Sequence, residues 1–68
     1  MSWRIDLILP LHFTEDVVRE RVEEYWYVVM NTPEGWQYTW VYEEPLAVGL
    51  RENELKRKFP EGRIKIYG

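Results

Sequence analysis

Hydrophobic and polar positions alternate over residues 3–9, with Trp3, Ile5, Leu7 and Leu9 on one side of the chain. That two-residue period is the signature of a strand. Pro10 ends it, because a proline cannot donate to a sheet ladder. The period then changes. Thr14 is in position to cap a helix, Glu15 and Asp16 suit its positive end, and Val18 and Val22 recur at helical spacing, followed by Tyr25 or Trp26. The pattern predicts a helix from near Glu15 to near Glu24.

Tyr25 to Met30 mixes aromatic and β-branched residues that fit a pleated sheet. With Trp36 to Glu43 it flanks Asn31-Thr32-Pro33-Glu34-Gly35, whose proline and glycine suit a hairpin loop. In the second of these strands Trp36, Tyr38, Trp40 and Tyr42 share one face, and Gln37, Thr39, Val41 and Glu43 share the other. Pro45 breaks the strand. Leu50 to Phe59 reads as a short helix burying Leu55 and Phe59, Pro60-Glu61-Gly62 as a turn, and Arg63 to Tyr67 as a last strand with Ile64 and Ile66 inward.

The expected fold is therefore α+β: a small four-stranded antiparallel sheet with two helices on one face, in the β-α-β-β-α-β order of ferredoxin-like domains. Two other readings fit the same pattern. One long helix over 15–30 would leave a three-stranded β-α-β-α-β chain, and an extra strand at Leu46 to Leu50 would give a small barrel-like sheet.

Length decides the domain count. With 68 residues, 46% of them hydrophobic, the chain makes one domain and excludes a two-domain enzyme. A domain of about 60 residues buries only about 60% of the surface its unfolded chain exposes. The absence of cysteine excludes disulfide staples and thiolate metal sites. Eleven aromatic residues, 16% of the chain, are the compensation, since each ring buries roughly 150–250 Å². The apolar run Leu7 to Leu11 is far short of the roughly 20 residues that span a bilayer. No basic segment and apolar run of secretory type opens the chain, which together with the missing cysteines leads us to expect a cytoplasmic, intracellular protein. The richness in Glu, Arg, Val, Tyr and Trp resembles the compositional drift of heat-adapted, thermostable proteins and suits a small archaeal or virus-encoded chain.

The net charge of −3 is unevenly spread. Residues 1–45 carry three bases and nine acids, whereas residues 46–68 carry six bases and three acids. Such polarity suits an acidic partner at the C-terminal side, or a second copy docking acid face to base face. The sequence pI of about 5.1 argues against general nucleic-acid binding.

Catalytic chemistry is poorly supplied. His12 is the only histidine, and with Glu15 it falls short of the three or four ligands that zinc requires. Ser2 is the only serine and has no base fixed near it. The carboxylate pairs Glu15/Asp16, Glu23/Glu24 and Glu43/Glu44 are adjacent in sequence and so point to different faces. Glycines 35, 49, 62 and 68 form no phosphate-cradling loop. We expect no enzyme activity, no cofactor and no metal.

The aromatic row has three physical uses: a core beneath the helices, an exposed protein-binding face, or a platform that stacks single-stranded nucleic acid. The expectation carried forward is a binding protein, acting as a homodimer or as an accessory, inhibitory module on a larger protein. Its anchors would be Trp36, Tyr38, Trp40 and Tyr42, and Arg57, Lys58 and Arg63 would steer an acidic patch. The alternative is nucleic-acid binding with Arg4, Arg63, Lys65 or the Lys56-Arg57-Lys58 run on phosphates. Against it, the stretch Trp36 to Tyr42 lacks the glycine and bases of an RNA-binding string.

Overall fold

A computed structural model describes residues 2–22 and 26–68. The chain runs β1 (Trp3–Leu9), α1 (Glu15–Arg21), β2 (Val28–Thr32), β3 (Gly35–Tyr42), α2 (Pro45–Lys58) and β4 (Arg63–Tyr67). The strands form one antiparallel sheet in the order β2-β3-β1-β4. This is the four-stranded α+β arrangement that the sequence pattern predicts, with element order and strand order consistent with a ferredoxin-like domain. A single long helix over 15–30 is ruled out by β2, and a strand at Leu46 to Leu50 by α2.

The interior follows from the alternation in β1. Ile5, Leu7 and Leu9 are fully buried, and the register sets them against Trp40, Tyr38 and Trp36 of β3; of the two isoleucines expected to face inward from β4, Ile64 packs on the core beside Leu7, whereas Ile66, beside Ile5 on the outer strand, is 38% exposed. Val18 and Val22 from the first helical segment and Leu55 and Phe59 from the second close over these rows. Arg21 then fastens the two helical segments together. Its guanidinium donates to the Lys58 carbonyl at 2.8 Å, pairs with Glu61 at 3.6 Å, and lies over the rings of Phe13 and Phe59. A cation at the end of a helix in this position satisfies a carbonyl that would otherwise lack a partner.

Three boundaries differ from expectation. The first helix ends at Arg21, and Val22 is already extended at φ −123°, ψ 126° while staying buried. The expected end near Glu24 and the expected strand start at Tyr25 lie outside the described residues. The hairpin is tighter than a five-residue loop: Thr32 pairs with Gly35, leaving Pro33-Glu34 as the turn. The Thr32 hydroxyl donates to the Gly35 carbonyl at 2.8 Å and accepts from the Glu34 amide at 3.2 Å. Gly35 has φ +140°, and a Cβ there would stand 2.1 Å from the Leu9 carbonyl oxygen, so only glycine fits. Finally, the second helix starts five residues early. Pro45 occupies its first turn, where its missing N–H costs nothing, so the proline that ends a strand also starts a helix.

Candidate interaction surface

The aromatic row lies on the helix-covered side of the sheet. Tyr38 and Trp40 are each 1% exposed, and Tyr27 packs against both with ring centroids 5.5 Å away. Trp36 and Tyr42, at the ends of the row, are half-buried and tied inward. The Trp36 indole N–H donates to the Leu11 carbonyl at 3.2 Å, and the Tyr42 hydroxyl accepts from Arg51 Nε at 2.8 Å. The row therefore serves the core, and Tyr38 and Trp40 present no surface to a partner or to a nucleic-acid base. Burial also pushes the Tyr38 phenol above its ordinary value, with the fields of Tyr27 and Glu15 acting the same way.

Two of the three bases expected to steer a partner are engaged in ion pairs. Lys58 is half-buried and paired with Glu54 at 3.0 Å, Arg63 pairs with Glu34 across the hairpin turn, and Arg57 is exposed on α2. A depression of about 620 Å³ beside α2 is lined by Tyr42, Leu50, Arg51, Glu54 and Arg57, among others. Its central polar groups already satisfy one another, since Arg51 engages Glu54 and Tyr42 and lies over the Trp40 ring. His12 is exposed and rests against Phe13. Among the described residues no three His, Cys, Asp or Glu side chains converge as metal ligands, and no helix is long and apolar enough to cross a membrane.

The helix-free face of the sheet divides in two. On the β1–β4 half, Asp6 is only 2% exposed; it accepts from the Thr39 hydroxyl at 2.7 Å and lies 3.4 Å from the Arg4 guanidinium. Lys65 stands opposite Asp6 in the register, and Arg4 covers the Tyr67 ring at 4.3 Å. Gln37 donates to Thr39 at 3.4 Å, completing a polar seam across the sheet. Beyond that seam the face turns apolar. Val28 (60% exposed), Met30 (53%) and Val41 (60%) stand on it, and Trp26, just before β2, is 87% exposed. A shallow hollow of about 340 Å³ runs between Trp26, Tyr27, Val28, Thr39 and Val41.

The edge strand β2 joins this patch to a second apolar depression on the opposite face. That groove, about 380 Å³, lies between Leu11, Phe13, Val29, Trp36 and Tyr38. β2 pairs only with β3 among the described residues, so every second residue directs its N–H and C=O outward. Its sequence, Val28-Val29-Met30-Asn31-Thr32, contains no charge. Sequence reasoning weighed ring size and so passed over these aliphatic residues; the available signal was a strand with β-branched residues and no lysine, arginine or proline. Comparison of the chain with protein-family models, with curated proteins and with solved structures gives no match.

Proposed function

We propose that the protein works by binding another protein chain, through the β2 edge and the apolar half of the helix-free face. The observation that carries this reading is the set of Val28, Met30, Val41 and Trp26, four large apolar residues exposed on and beside a strand that pairs on one side only among the described residues. Contiguous apolar surface of this kind marks interaction sites on small soluble domains. An extended segment laid along β2 gains main-chain hydrogen bonds, while its alternate side chains meet the hollow on one face and the groove on the other. The contact is thus centred on the aliphatic residues beside the aromatic row, with Trp36 at the end of that row lining the groove.

The test is a photo-crosslinking amino acid at position 41, with the same group at Lys56, exposed on α2, as control. The expected result is one discrete adduct from position 41, whether with a second copy or with one other protein, and none from position 56. No adduct, or an indiscriminate ladder from both positions, would overturn the reading.

A further inference from the structure

Resting on that reading, we infer that the occupant of the β2 edge is a second copy of the same chain, paired antiparallel across a two-fold axis at Met30. Met30 is the midpoint of β2. Such an axis sets Val29 against Asn31 of the second copy and Val28 against its Thr32. It also carries the Trp26 ring, the most exposed large apolar side chain described, to the Pro33-Glu34 turn of the second copy. The open edge, the flanks of Val28 and Met30 and the exposed indole then meet one symmetric contact.

Charge separates this pairing from the other ways two sheets could join. Nothing charged stands on β2, so like meets like without repulsion. The same operation on β4 would set Lys65 against Lys65, and like charges directly opposite one another are destabilising. A β2-to-β4 contact is heterologous and leads to a larger ring or an open filament, not to a two-fold dimer. The closed dimer extends the sheet to eight strands and adds buried surface along β2 to a chain whose length leaves it marginal alone.

The experiment is solution mass by light scattering over a dilution series, for the wild type, Met30→Lys, Met30→Glu and an equimolar mixture of the two variants. Circular dichroism establishes that each variant is folded. The wild type is expected at twice 8.4 kDa, each variant at 8.4 kDa, and the mixture back at twice 8.4 kDa, because opposite charges then meet on the axis. A folded wild type that stays monomeric at about millimolar concentration, well above the micromolar range of modest complexes, overturns the inference, as does a dimer that both variants leave intact. Should the variants fail to fold, hydrogen exchange of the wild type decides. Amides in β2 that gain protection with concentration support the pairing, and equal exchange at all concentrations overturns it. A discrete adduct from position 41 with a different protein, together with a monomeric wild type, would sink the self-pairing alone and leave the binding reading standing.

Discussion

The two edges of the sheet are built from strands of equal length and opposite character. β4 carries Arg63 and Lys65, and is further covered where Arg4 lies over Tyr67 and where Arg63 reaches Glu34. β2, across the sheet, has valine, methionine, asparagine and threonine with no charge and no proline, although Pro33 stands one residue beyond its end. Lysine on an edge strand is a standard defence against unwanted pairing. The contrast teaches that the chain has a guarded edge and an unguarded one, and that the apolar surface is gathered beside the unguarded one.

The strongest way to break that contrast is to remove what both edges depend on. Trp40→Ala opens a cavity in the core between them and should cost ~3–5 kcal/mol, losing both edges with the fold, whereas Val41→Thr, one residue along on the open face, should stay within about 0.5 kcal/mol. Urea titration of the two variants checks this, and equal costs would mean that Val41 is structural. A subtler intervention removes the guard. Arg63→Val with Lys65→Val leaves two unlike unprotected edges on each copy, and growth to large, heterogeneous masses is expected in light scattering. A single discrete species would show that these two bases protect nothing.

The smallest effect sharpens the comparison through pH. The Tyr38 phenol, cross-strand from Val29 of β2, is held above its ordinary value chiefly by burial. Its neutral form is therefore favoured in the folded chain. As pH rises past the ordinary tyrosine value of about 10, the unfolded chain releases this proton first, and stability falls. Denaturation at about pH 9 and about pH 11 should show that decline in the wild type and a shallower one in Tyr38→Phe. Parallel declines would assign the slope to other groups.

The limits of β1 and β4 were legible to the residue, set by Pro10 after the one and the Pro60-Glu61-Gly62 turn before the other; alternation put Ile5, Leu7 and Leu9 on the core face but gave no sign that Asp6 and Ile8 opposite are buried too or that Ile66 is exposed. The start of α2 was not legible. Pro45-Leu46-Ala47-Val48-Gly49 has neither a polar capping side chain nor an amphipathic period, and even in the structure Glu44 makes no side-chain cap. The aromatic row was legible as a face but not as a side: alternation places Trp36, Tyr38, Trp40 and Tyr42 together, while the course of the helices decides which surface they cover. The same limit hid the apolar patch. Val28, Met30 and Val41 become a patch only when β2 and β3 pair in register, and Val28 becomes an edge residue only because β1 takes the other side of β3.

That insertion of β1 between β3 and β4 also sets the order in which the protein can be finished. Among the described residues the strand pair joined by a short loop is β2–β3, closed by two turn residues; β1 finds its partners far along the chain, with Arg4 meeting Tyr67 in the final register. Non-local pairing of this kind is slow, because the loop must close before any contact rewards it. During synthesis β1 waits for β4, so this sheet is completed only when residues 63–67 have left the ribosome.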